Sequence, residues 1–281
     1  MIFSPRVNVR FNPSEAVNLR VSYAGGYRAP QAFDEDMHIA IVGGKRVRIR
    51  LADDLREERS HSVSLSADLY HTFGKVQTNL LVEGFYTILD DVFALRDMDD
   101  AADGGKVKER YNGSGATVRG FNVEGRAAFT RWFELQAGVT LQQSRYKEPE
   151  FWSEDAEVPP VRRMFRTPDT YGYFTASFKP VRNFTADLSG TCTGSMLVQH
   201  MAGSGVAQDV AVSTPSFFDM NIRLSYDVRI YKEITMQLYG GVQNLFNAYQ
   251  KDFDKGVDRD SGYIYGPSLP RSWFVGAKFS F

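Results

Sequence analysis

The residues in this chain that could do chemistry are few, and their spacing does not suit it. The four histidines, His38, His61, His71 and His200, are scattered, and none stands at metal-ligand spacing from the single cysteine, Cys192. One cysteine also excludes an intramolecular disulfide framework. Gly203-Ser204-Gly205 places a serine between glycines, without the strand, turn and helix that present a nucleophile or cradle a phosphate. Glu124 and Glu134 can share one space from adjacent strands, but no apolar pocket is evident to split their pKa values, so they read as solvated carboxylates. Two acidic stretches could offer oxygen ligands to a hard cation: Asp90, Asp91, Asp97, Asp99, Asp100 and Asp103, then Asp252, Asp254, Asp258 and Asp260 around Gly256. Neither has calcium-loop spacing, and both read first as solvated loops. The expectation is no catalytic residue, no resident metal and no cofactor.

Aromatic side chains are better candidates. Phe151, Trp152, Tyr263 and Tyr265 fall in long loops, where they could stack on a small molecule such as a siderophore, a corrin or a sugar. The alternative is a belt at a membrane headgroup layer. Composition excludes other classes: 33 basic against 34 acidic residues leave no net field to gather a nucleic acid. Unbroken apolar runs such as Ile39–Val42 reach only four residues, against about 20 for a membrane helix. Residues 1–20 also lack a signal peptide's apolar core.

What positions the candidates is a period of two. Phe121, Val123, Gly125, Ala127 and Phe129 alternate with Asn122, Glu124 and Arg126; Phe133 to Leu141 repeats the pattern against Glu134 and Gln136. So does Phe218 to Tyr226 against Asp219, Asn221 and Arg223. Eleven strands are expected, over 4–11, 17–26, 59–72, 76–92, 117–130, 133–146, 170–179, 184–197, 217–228, 233–245 and 270–281. The gaps between them alternate between about 2–5 and about 19–32 residues, which puts tight turns such as Asn12-Pro13-Ser14, Phe73-Gly74-Lys75 and Arg131-Trp132 on one rim and long loops on the other. Most strands are about as long as a tilted membrane strand of about 9–11 residues needs. An Arg or Lys facing mid-bilayer lipid costs about 2–4 kcal/mol. The polar face, with Glu124, Arg126, Glu134, Gln136, Asp219, Asn221 and Arg223, is therefore expected to line a lumen.

Three motifs then resemble one family, the TonB-dependent outer-membrane receptors. Residues 17–30 end on Tyr27-Arg28-Ala29-Pro30, similar to that family's aromatic-Arg-Ala-Pro motif; residues 242–249 carry Asn244-Leu245-Phe246, similar to its Asn-Leu-Phe motif; residues 266–281 resemble its last strand. Thr193-Gly194-Ser195-Met196 with His200 is similar to a stretch in Bacteroidetes members. The resemblance implies an all-β fold, an antiparallel up-and-down transmembrane barrel with about eleven of a probable 22 strands present and no plug domain, residues 1–281 forming a single unit. On that reading Met1 is an internal methionine or a mis-assigned start, and the partners are outer-membrane lipid, the N-terminal barrel half and plug, TonB acting through that plug, and a small-molecule ligand. Trp273, Val275, Ala277, Phe279 and Phe281 would form the signal for outer-membrane insertion. The function implied is energised uptake of a scarce ligand, without enzymatic activity. A passive porin or structural barrel is the alternative, and a soluble β-rich binding module a further one.

Overall fold

A computed structural model describes residues 3–30, 47–98, 106–153 and 155–280. Their strands in chain order are β1 (Arg6–Ser14), β2 (Val17–Arg28), β3 (Val47–Leu51), β4 (Glu58–Phe73), β5 (Val76–Asp90), β6 (Phe93–Met98), β7 (Lys106–Asn112), β8 (Ala116–Thr130) and β9 (Phe133–Glu150). They continue with β10 (Val161–Arg163), β11 (Thr170–Val181), β12 (Phe184–Thr193), β13 (Leu197–His200), β14 (Val210–Ser213), β15 (Phe217–Tyr231), β16 (Ile234–Gln243) and β17 (Ser272–Ser280). Eleven of them, β1-β2-β4-β5-β8-β9-β11-β12-β15-β16-β17, pair in that order as one antiparallel meander, the wall. These are the eleven expected strands. Among the described residues β1 pairs only with β2 and β17 only with β16, so the wall is an open sheet.

The turn rim is made of two-residue hairpins. Gly74-Lys75 closes Phe73↔Val76 with Gly74 at φ 64°, and Lys232-Glu233 closes Tyr231↔Ile234 with Lys232 at φ 44°. The first expected turn is displaced: β1 runs on through Asn12-Pro13-Ser14, and Glu15-Ala16 makes the turn. Proline fits there because the register shifts between Phe11 and Ser14 and the strand is an edge. The eighth expected strand stops at Thr193, short of 197. A side chain at Gly194 would meet the Thr170 carbonyl oxygen at 2.6 Å, and Leu197–His200 instead pairs with β14.

Side chains alternate between two faces of the wall. Register aligns Leu80, Val82 and Gly84 with Gly125, Val123 and Phe121, and these with Ala137, Val139 and Leu141 on β9. The opposite face aligns Arg126 with Gln136, Asn122 with Thr140 and Asp187 with Arg223. The apolar face is open: Val275 is 90% and Phe121 63% exposed. A soluble sandwich would bury such a face; an open one this wide is a contact surface for lipid or protein. Val123→Arg, set between Val82 and Val139, should lower stability in bilayers by about 2–4 kcal/mol. Gln136→Lys on the other face should stay within about 0.5 kcal/mol. Urea unfolding of lipid-reconstituted protein compares the two.

The long loops carry structure of their own. β3 pairs in parallel with β7, and β7 antiparallel with β6, giving a three-stranded sheet built from two different loops. β13 and β14 form a hairpin within a third loop, and β10 lies on the loop-side extension of β9. A cluster of buried apolar side chains is also here: Val198, Tyr263 and Tyr265 of the loops pack with Phe217 at the start of β15.

Candidate functional site

Above the loop rim lies a cavity of about 610 Å³ between the three-stranded sheet, the end of β9 and the β13 hairpin. Its lining includes five basic side chains, Arg28, Arg96, Lys108, Arg110 and Arg166, against two acidic ones, Glu150 and Asp260. Aromatic rings fill the spaces between them. Arg28, at the end of β2, pairs with Glu58 across the strand boundary at 3.7 Å and lies over the Phe93 ring at 5.7 Å. Arg110 approaches the same ring at 5.9 Å, so two guanidiniums lie near Phe93. Glu58 holds that ring in place by accepting the Phe93 N–H at 2.5 Å. Arg96 bonds Glu109 and lies 4.9 Å over Tyr111, whose hydroxyl burial pushes above its ordinary pKa.

Phe151 and Trp152 reach this cavity. Phe151 is 71% exposed; Trp152 packs edge-on to Phe165 at 5.4 Å while its indole N–H donates to the Pro159 carbonyl at 3.3 Å. Tyr263 and Tyr265 are elsewhere, and their expected stacking on a ligand is corrected by burial. They are 3% and 7% exposed, and both hydroxyls donate to Asp252, at 2.8 and 2.6 Å. His200 covers one ring face of Tyr263 at 3.7 Å. The second acidic stretch is therefore an internal tie. Asp254 accepts from Asp260 N–H at 3.0 Å and lies 3.0 Å from His200 Nε2, and Asp260 accepts the Met201 N–H at 2.7 Å. Burial works against ionisation of Asp252, but its two tyrosine donors hold the carboxyl below its usual range. Of the first acidic stretch, Asp90 pairs with Lys147 and Asp91 with Arg56 at 2.7 Å; Asp99, Asp100 and Asp103 lie outside the described residues. His61 contacts the Tyr23 hydroxyl at 2.8 Å and His71 packs on Phe73, while His38 lies outside the described residues.

On the polar face of the wall, Glu124, Arg126 and Gln136 join with Tyr173 in one network. Gln136 donates to Glu124 at 2.8 Å, Tyr173 to Glu124 at 2.5 Å and Arg126 to Gln136 at 2.8 Å. Glu134 stands 3.9 Å from Arg126. Arg223 donates to Gln237 at 3.1 Å, and Asp219 and Asn221 share its face through register with Thr191 and Ser189. These polar side chains form a hydrogen-bonded layer across adjacent strands, on the face opposite the apolar one.

A sequence profile described as the TonB-dependent receptor-like β-barrel matches residues 1–245. The chain belongs to that family. No curated protein is a significant match. Among solved structures it is similar to the ferric-catecholate import receptor Fiu of E. coli, at 16% identity and a TM-score of 0.61 over 97% of this chain and 34% of Fiu. It is similar also to a variant of the ferric enterobactin receptor PfeA of Pseudomonas aeruginosa, at 16% identity and 0.64 over 98% of this chain and 39% of that one. The FrpB iron transporter of Neisseria meningitidis matches at 15% identity and 0.63 over 98% and 38%. At such identities these show the fold, and this chain spans well under half the length of each.

The receptor-barrel motifs have physical roles here. Asn244 adopts φ 49° with its side chain buried, accepting from Ala248 N–H at 2.7 Å and donating to the carbonyls of Ala248 and Leu269 at 2.9 and 2.8 Å. Leu245 N–H returns to the Met220 carbonyl at 2.7 Å, and Phe246 packs 6.0 Å from Phe218. Tyr27, next to last in β2, lies opposite Arg59, and Ala29 and Pro30 are exposed beyond the strand. Trp273, Val275, Ala277 and Phe279 share the apolar face of β17; Phe281 lies outside the described residues. Sequence reasoning missed Phe93, Arg96, Arg110 and Tyr111. Polar residues at 106, 108, 110 and 112 with Val107 and Tyr111 between them, an alternation broken by Glu109, were the available signal.

Proposed function

We propose that this receptor barrel contributes wall and ligand-binding loops to energised uptake across the outer membrane of a small anionic ligand, of the ferric-chelate kind. The observation that carries the reading is the basic, aromatic-lined cavity at the loop rim of a TonB-dependent receptor fold. Guanidiniums over aromatic rings suit a ligand that brings both negative charge and flat rings. Names of similar structures, a ferric-catecholate importer and a ferric enterobactin receptor, point the same way. In this reading the apolar face meets lipid, the polar network faces the lumen, and the edges of β1 and β17 pair with further strands of the same barrel. Closure is required because an unpaired backbone group in lipid costs several kcal/mol. The plug and TonB would act from outside this chain.

The test is direct binding. Ferric enterobactin titrated onto the purified receptor should quench Trp152, and Trp152→Ala or Phe93→Ala should weaken binding by about tenfold. Equal affinity in both variants and the parent protein would reject the cavity as the site.

A further inference from the structure

The outward face carries a second concavity, unrelated to the ligand cavity. It is a groove of about 720 Å³ lined by Val63, Leu65, Gly84, Tyr86, Phe121 and Leu141, and at its loop-side end stand Arg119 and the carboxylate of Asp169. Register explains its shape. Leu65, Gly84, Phe121 and Leu141 form one row across four strands, and the Phe121 ring leans over Gly84, 3.3 Å from where a side chain there would begin. One row nearer the loops, Tyr86, Arg119 and Gln143 align on the same face.

The height of Arg119 can be placed. From Arg119 to Phe129 β8 advances ten residues, which is about 33 Å along a strand at about 3.3 Å per residue. At a tilt of about 40° that is about 25 Å across the membrane, the height of the apolar band of an outer-membrane barrel. Phe129, Trp132, Phe133 and Phe178 form an aromatic cluster at the lower limit, with ring separations of 5.1 to 6.3 Å. Arg119 therefore stands at the upper limit, in the headgroup layer. Its neighbours on the outward face already have carboxylates: Arg59 pairs with Glu57 at 2.6 Å and Arg145 with Asp169 at 3.7 Å. Arg119 donates to the neutral Gln143 amide at 2.8 Å, so its charge is not matched there.

We infer that the groove binds a phosphorylated membrane lipid, with an acyl chain along the row of Leu65, Phe121 and Leu141 and the phosphate on the Arg119 guanidinium. A planar guanidinium takes a phosphate in two parallel hydrogen bonds, and an apolar trough directly below it accepts the chain. This rests on the membrane-spanning reading above and adds a defined lipid site to it.

The probe is spin-labelled phosphatidylglycerol against spin-labelled phosphatidylcholine. Receptor extracted from outer membranes is placed in phosphatidylcholine nanodiscs, and the motionally restricted fraction of each label is read. The parent protein should prefer phosphatidylglycerol about tenfold at a saturable site, the value of one charge-assisted contact. Arg119→Lys should keep most of that preference and Arg119→Gln should abolish it. Gly84→Leu, which pushes the Phe121 ring out into the groove, should lower the restricted fraction for both lipids and leave the charge preference in place. Equal restriction of the two lipids in the parent protein, or a preference that survives Arg119→Gln, overturns the proposal alone. Failure of the parent protein to enter nanodiscs overturns it together with the membrane reading.

Discussion

Asn244→Ala is expected to lower stability by about 4 kcal/mol, from the loss of three hydrogen bonds worth about 1 kcal/mol each and about 1 kcal/mol for alanine in a left-handed conformation. Asn244 is 3% exposed, and its amide holds the loop after β16 by bonding Ala248 in both directions and Leu269 beyond it. Its own N–H also reaches Asn221 on β15 at 2.9 Å. Asn244→Gly removes the conformational cost and keeps the lost bonds, so it should cost about 3 kcal/mol. Asn244→Asp should be no milder than alanine, because it faces two carbonyl oxygens with a carboxylate. Urea midpoints rank the three. Hydrogen exchange over residues 244–271 should show the loop opening before the wall does.

Asp252→Ala should open the folded lobe made by the β13 hairpin and the loop ahead of β17. It leaves the hydroxyls of Tyr263 and Tyr265 buried without an acceptor, and two bonds to a charged group are worth about 3–5 kcal/mol together. Tyr265→Phe removes one donor cleanly and should cost less, about 1.5 kcal/mol. The same contacts set a pH dependence. Burial and Asp252 push the Tyr265 hydroxyl up to about 12. In the opened loop it ionises near about 10. The contribution is therefore complete below about pH 10 and is lost as pH climbs towards 12. Asp252, held below its usual range, acts oppositely: its contribution is complete above an ordinary aspartate pKa and fades as acid protonates the folded carboxyl. Tyrosinate absorbance should show two fewer residues ionising late in Asp252→Ala than in the parent protein.

The wall was readable from the sequence because its signal is long. Over β8 and β9 an apolar residue or glycine recurs at every second place for nine positions, 121–129 and 133–141, and tertiary contacts do not override such a run. The displaced first turn shows the limit: Pro13 reads as a break in any strand, and only pairing to β2 on one side makes it acceptable. The loop sheet was invisible for a different reason. β3 and β7 are 5 and 7 residues long, they pair in parallel, and the segments between them are charged. At the site, exposure of Phe151 followed from its polar surroundings. Burial of Tyr263 and Tyr265 did not, because the acceptor that justifies it, Asp252, looked like a solvated charge until the chain folded back on it.

The parallel pairing of β3 with β7 joins the loop before β4 to the loop between β5 and β8, and Arg166 ties the loop after β9 to the carbonyls of Gly262 and Ile264 in the loop before β17. Loops that look like independent insertions on adjacent hairpins are thus stitched into larger pieces. Grafting one of them from a relative would strand half of a sheet or a guanidinium without its acceptors. Specificity in this receptor can be transplanted only in matched sets: the two loops of the three-stranded sheet together, or the loops after β9 and before β17 together.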